Sequence, residues 1–221
     1  MDAYRDALLA IGSEPPPAPR WLQDWFPRLD AAVLYAMVRT AKPRQIIEIG
    51  AGHSTRFMVR AVADGGLATR ITTIDPAPRR SPEVLPVDFE NCRVQDVALE
   101  RFDVLESGDI LFVDSSHKYA PGSDVAFVLD EVLPRLRPGV LLQFHDIFLP
   151  GGYPVDLAWR SYSEQRAIAP LLEEGRVDVL FSSRYAVTRL AEALAQTVIR
   201  RLPLPAGAIE SSLWLRLPAP L

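Results

Sequence analysis

Cysteine is almost missing from this sequence. Cys92 is the only one in 221 residues, so no disulfide can form within the chain, which fits a reducing compartment. Long hydrophobic runs are missing too: no stretch approaches the ~20 apolar residues that a membrane-spanning helix needs. The opening Met1-Asp2-Ala3-Tyr4-Arg5 has neither a basic n-region nor an apolar h-region. No secretory signal is therefore expected, and the cytoplasm is the default location. Positive charge is not in excess. Lys and Arg number 24 against 28 Asp and Glu, for a net charge of −4, and the arginines are scattered among acids, so no nucleic-acid-binding face is expected. Histidine is scarce, with three in the chain, which makes their positions informative.

What is present is the balance of a globular protein, 48% hydrophobic and 24% charged, in a length that suits one domain with short extensions. Residues 2–11 can form a short amphipathic helix, and Glu14-Pro15-Pro16-Pro17-Ala18-Pro19 is a stiff linker. Trp21, Trp25 and Phe26 follow; they can pin this arm to the domain or to a second subunit, which leaves a homodimer open. The expected division is an N-terminal helix and proline-rich arm over 1–27 and a main domain over 28–221. Within the latter, Leu29, Ala32, Val33, Ala36 and Met37 have helical spacing over 28–41. Strands are expected at 44–49, 70–74, 91–94, 109–113, 140–144, 177–181 and 209–217. Helices are expected at 54–63, 123–133 and 187–200, with two helical pieces over 155–174, where Pro170 should kink or shorten the second. Alternating strands and helices imply an α/β fold, doubly wound and Rossmann-like, around a mainly parallel sheet.

The chemistry-bearing residues lie where the strands stop. In Glu48-Ile49-Gly50-Ala51-Gly52-His53-Ser54-Thr55, a strand ends, two glycines follow at alternate positions and a helix begins. Such a turn lets a ligand approach the backbone and meet free helix N–H groups. A nicotinamide dinucleotide site would prefer a third glycine, but Thr55 stands there. S-adenosylmethionine (SAM), which has no phosphate, tolerates the bulkier helix start. Gly50, Gly52, Ser54 and Thr55 form its expected cradle, with Glu48 towards its ammonium group. Asp75, at the tip of the second strand, is placed to accept from both ribose hydroxyls. Asp96 and Val97, beyond the third strand, are candidates for the adenine amino group and ring. Strand four ends in Asp114-Ser115-Ser116-His117 and strand five in His145-Asp146. Neighbouring strand ends form the crevice of an α/β sheet, so Asp114, His117, His145 and Asp146 are expected to converge there. His117 or His145 is the candidate base for a hydroxyl acceptor.

The segments EIGAGHSTRF (48–57), DILFVDSSHKYAPGSDV (109–125) and LPRLRPGVLLQFHDIFLPGGYP (133–154) resemble a bacterial group of class I SAM-dependent methyltransferases. The likeness extends over about residues 21–217, with the SSH and HDIFLP pieces the most specific. It implies a seven-stranded sheet with the last strand antiparallel, SAM bound by the Glu48–Thr55 loop and Asp75, and a small-molecule acceptor, most simply a hydroxyl. Related O-methyltransferases hold magnesium at the ends of strands four and five. By that analogy Asp114, His145 and Asp146 would bind a divalent metal, although a nitrogen ligand suits zinc, iron or nickel better than magnesium. Two other readings stay open at this point: a nicotinamide-dependent oxidoreductase and a SAM-binding module without catalysis.

Overall fold

A computed structural model describes residues 1–219; the last two residues of the expected 28–221 domain lie outside the described residues. Its centre is a seven-stranded sheet in the order β3-β2-β1-β4-β5-β7-β6. The strands are β1 (Gln45–Ile49), β2 (Arg70–Ile74), β3 (Asp88–Glu90), β4 (Ile110–Val113), β5 (Leu141–Phe144), β6 (Asp178–Ser182) and β7 (Leu213–Arg216). β1 to β5 pair in parallel, and β7 inserts antiparallel between β5 and β6. The doubly wound sheet expected from the sequence is therefore present, with its one reversed strand at β7.

Alternation along the strands decides which side chain faces which layer. Ile46, Ile110 and Phe112 join the core beneath α2 (Arg28–Ala41) and α3 (His53–Gly65). Ile47, Ile49, Leu111 and Val113 pack on the opposite face with Val128, Val132 and Phe144. The five apolar positions read as helical over 123–133 are all buried, but the backbone there changes character. α4 (Asp124–Ala126), capped by the Ser123 hydroxyl, passes into a π-helical turn at Phe127–Val132 and a 3-10 turn at Leu133–Arg135. Pro170 sits inside α5 (Glu164–Glu173), which ends three residues later.

Three expectations needed adjustment. The third strand runs over Asp88–Glu90 rather than 91–94, where Val94–Asp96 is a 3-10 turn. The helix expected over 187–200 is broken into α6 (Ser183–Arg189), α7 (Ala191–Ala195) and a 3-10 turn at Val198–Arg201. The final strand is shorter than 209–217, because Glu210, Ser211 and Ser212 are tied instead to the start of α2. The N-terminal arm is part of the same core. Leu8 of α1 (Arg5–Ala10), Ile11, Trp21 and Phe26 are buried with α2 and α3, and the Trp21 indole donates to the Leu8 carbonyl at 3.2 Å.

Candidate functional site

The sheet changes winding direction between β1 and β4, and a cleft of about 1320 Å³ opens over that point. This is where an open α/β sheet places its ligand. Gly50 makes the turn feasible. Its φ is +90°, and a Cβ there would collide with the Asp114 carbonyl oxygen at the end of β4. Gly52 has open space where its side chain would stand and lines the cleft. Asp75 lines the same half, accepting from the Ala51 amide with one oxygen and the Ala77 amide with the other, both at 2.8 Å. It thus ties the glycine loop to the end of β2 and keeps lone pairs for a ligand.

Glu48, Ser54 and Thr55 are not on the cleft wall but beneath it. Glu48 is fully buried and accepts hydroxyl hydrogen bonds from Ser54 (2.6 Å), Thr55 (2.7 Å) and Thr73 (2.9 Å). Burial raises its carboxyl to about 7 despite those three bonds. Through these bonds it ties the start of α3 to β2 beneath the glycine loop. Asp96 faces solvent in an ion pair with Arg93 at 2.7 Å, and Val97 packs against the interior. Val94 and Gln95, just before them, line the cleft instead.

The other half of the cleft holds Asp114, His117, His145 and Asp146, brought together as their positions at adjacent strand ends require. His117 Nε2 is 3.3 Å from Asp114 and 3.7 Å from Asp146. His145 Nδ1 is 3.4 Å from Asp114 and 3.9 Å from Asp146. Behind each imidazole stands a buried carboxylate that sequence reasoning missed. Glu164, at the start of α5, meets His117 Nδ1 at 2.9 Å. Asp30, in the first turn of α2, meets His145 Nε2 at 3.3 Å and accepts from the amides of Ser211 and Ser212. Burial alone would lower both histidines. Asp114 and Glu164 instead hold His117 up at about 10, and Asp114 with Asp146 holds His145 well above its usual value. Reciprocally, His145 and His117 outweigh burial and hold Asp114 far below the usual carboxylate range. His117 and Asp146 both adopt left-handed backbone, with φ of 60° and 54°. Such strain in non-glycine residues persists where surrounding structure enforces it, and it clusters at functional sites.

The expected metal set fits poorly. Each imidazole has a carboxylate at both nitrogens, which favours the protonated ring, and in that form it has no lone pair for a metal. Asp146 is further engaged by the Ser211 hydroxyl at 3.0 Å. Among the described residues, no three His, Cys, Asp or Glu side chains are grouped to hold an ion. The donor set is that of a hydrogen-bonded ionic network.

Residues 47–147 match the model of a methyltransferase domain. None of the curated proteins matches the chain in sequence. Among solved structures, an O-methyltransferase from Bacillus cereus in complex with S-adenosylhomocysteine (SAH) aligns with 98% of this chain and 91% of its own, at TM-score 0.53 and 15% identity. A SAM-bound O-methyltransferase from Streptomyces achromogenes, involved in tomaymycin synthesis, covers 99% and 87% at TM-score 0.52 and 17% identity. An SAH-bound methyltransferase from Podospora anserina covers 87% and 79% at TM-score 0.51 and 18% identity. The chain thus has the Rossmann-like fold of these methyltransferases, and its family match spans the segment from β1 to just beyond β5.

Proposed function

We propose that the protein is a SAM-dependent methyltransferase acting on a hydroxyl of a small molecule. The observation that carries this reading is the division of one cleft into two halves. The Gly50–Gly52 loop and Asp75 face one half, and an imidazole–carboxylate network faces the other. The cleft exceeds the ~300–1,000 Å³ of an ordinary small-molecule pocket, leaving room for a cofactor and an acceptor together. His53 Nδ1 and Ser115 Oγ, on residues of its wall, are buried with no partner among the described residues, groups that a ligand or bound water would satisfy.

SAM supplies an electrophilic methyl group; an acceptor oxygen forms the new C–O bond as the C–S bond breaks. Asp75 binds the ribose hydroxyls, the Gly50–Gly52 backbone admits the methionine portion, and Val94 and Gln95 flank the adenine. Alignment of acceptor and methyl accounts for much of the acceleration. The neutral form of His117, a small fraction below its raised value of about 10, takes the hydroxyl proton through Nε2, with Glu164 fixing the ring from behind; Asp114 and Asp146 share the resulting charge. His145, held by Asp30 and packed on Phe26 at 5.2 Å between centroids, keeps Asp114 ionised. No metal step is needed.

The test is calorimetric titration with SAM, SAH and NAD, followed by turnover on a panel of hydroxylated acceptors. SAM and SAH should bind and NAD should not. Asp75→Ala should weaken SAH by roughly 1–3 kcal/mol, the loss of hydrogen bonds to a charged group. Tight NAD binding without SAH binding would refute the reading. SAH binding without turnover on any acceptor would favour a non-catalytic module.

A further inference from the structure

The mouth of the cleft carries positive charge that the fold neutralises only in part, through Asp24 and through Asp146 beside Arg160. Arg20 and Trp25 come from the N-terminal arm, Arg79 and Arg80 from the loop after β2, and Arg160 from the 3-10 turn Val155–Arg160. Arg56 of α3 is lowered by burial and by the charges of Arg80 and Arg20. His53 falls to about 4 through burial and through Arg56, Arg20 and Arg80, with Asp24 opposing. The arginines thus repel one another across a half-enclosed space. Their arrangement is ordered nonetheless. The Arg79 guanidinium lies 3.8 Å from the centre of the Trp25 ring, and that of Arg160 lies 5.7 Å from the same centre. Arg160 also faces Trp159 at 5.2 Å and Tyr162 at 5.5 Å.

Arg160 connects this mouth to the reacting groups. It donates to the Tyr162 hydroxyl at 2.6 Å and stands 3.8 Å from Asp146, while the Tyr162 ring lies 4.6 Å from that of His117. Its Nε is buried and has no partner among the described residues. An arginine stacked on aromatic rings with a free donor edge suits planar recognition of a carboxylate or phosphate.

The cofactor does not supply the missing negative charge. SAM carries one carboxylate against an ammonium and a sulfonium, so it adds net positive charge to the cleft. The carboxylates on the floor, Asp114 and Asp146, are already engaged by the two histidines. An acceptor with a negative group would supply the counter-charge these arginines lack. We infer that the methyl acceptor carries an anionic group, carboxylate or phosphate, which Arg79 and Arg160, both beside Trp25, hold while its hydroxyl faces His117. This inference rests on the methyltransferase reading and specifies its substrate class.

The experiment uses the full chain saturated with SAH, titrated calorimetrically with 4-hydroxybenzoate, phenyl phosphate and the neutral 4-hydroxybenzamide. At least one anion should bind about tenfold or more tightly than the amide, the span expected of charge-assisted hydrogen bonds. The benzoate and phosphate arms distinguish the two anion types. The double variant Arg79→Gln/Arg160→Gln should lose that preference, with SAH affinity changed less than about twofold; SAH binding also reports that the variant is folded. Arg79→Gln alone, at an exposed position, should show part of the loss. Equal binding of amide and anions, absence of anion binding, or an undiminished preference in the double variant would each overturn the inference. Failure of the wild-type chain to bind SAH would overturn the methyltransferase reading itself, and the acceptor class with it.

Discussion

Glu48→Gln isolates the electrostatic cost of bracing the glycine loop with a buried carboxyl. Glu48 has no exposed surface, and burial raises it from 4.5 to about 7. Between those values the folded protein holds a proton that the unfolded chain has released, so stability falls as pH rises. The contribution is complete below pH 4.5 and gone once pH passes 7. A displacement of this size, at 1.36 kcal/mol per pH unit, corresponds to roughly 3 kcal/mol. Gln keeps the shape, and the hydroxyls of Ser54, Thr55 and Thr73 can turn to serve an amide. The assay is urea unfolding of both proteins at pH 5, 6, 7 and 8. The variant should gain on the wild type by up to about that amount between the ends of the series, because all other titrations cancel in the difference. Parallel stability curves would refute the assignment of a buried, proton-holding Glu48.

The remaining predictions concern packing, the glycine turn and the histidine network. Trp21→Ala, which removes a 4%-exposed indole packed 5.1 Å from Phe57, should cost about 3–5 kcal/mol in chemical denaturation. Gly50→Ala forces a Cβ onto the Asp114 carbonyl at φ +90°; it should lower the melting temperature and abolish SAH-induced stabilisation. Turnover should rise with pH across the alkaline range, because the neutral, proton-accepting form of His117 grows as pH approaches about 10. Glu164→Gln removes a carboxylate that holds His117 up, so it should lower kcat about tenfold or more and move that rise to lower pH, with SAM affinity little changed. A pH profile that does not move would show that Glu164 plays no part in setting His117.

The parts legible in the sequence were those governed by local rules. The β-branched run Ile46-Ile47, the glycines after it and the apolar run Ile110–Val113 place β1, the turn and β4, and adjacency of strand ends then brings Asp114, His117, His145 and Asp146 together. Misreadings arose where a local pattern had two outcomes. Ser54 and Thr55 follow a glycine turn and could face either ligand or interior. Three hydroxyls meeting Glu48 settle them inward. Around Asp96 and Val97 the chain makes a 3-10 turn at Val94–Asp96, and it is Val94 and Gln95 that line the cleft there.

Asp30 and Glu164 were illegible for a deeper reason. An acidic residue in the first turn of a helix is what the helix dipole favours anywhere, so nothing in either sequence context marks a buried partner for histidine. Only the crossing of α2 over the end of β5, and of α5 over the loop after β4, brings them to His145 and His117. Both lie outside residues 47–147, the segment that carries the family match, whereas both histidines lie within it. Of the cleft mouth, Trp25 and Arg160 lie outside it as well, and Arg79 and Arg80 inside it. The matched core therefore supplies the glycine loop, the strand-end carboxylates and the histidines. The flanking segments set how those histidines are oriented and what meets them across the cleft. Variation in acceptor among proteins sharing the core should then track changes near positions 25, 30, 160 and 164 more closely than changes in the glycine loop. Exchanging residues 148–164 between two such enzymes, with kcat/KM measured on both acceptors, should transfer acceptor preference while leaving SAM affinity in place; preference that stayed with the 47–147 core would contradict this division of labour.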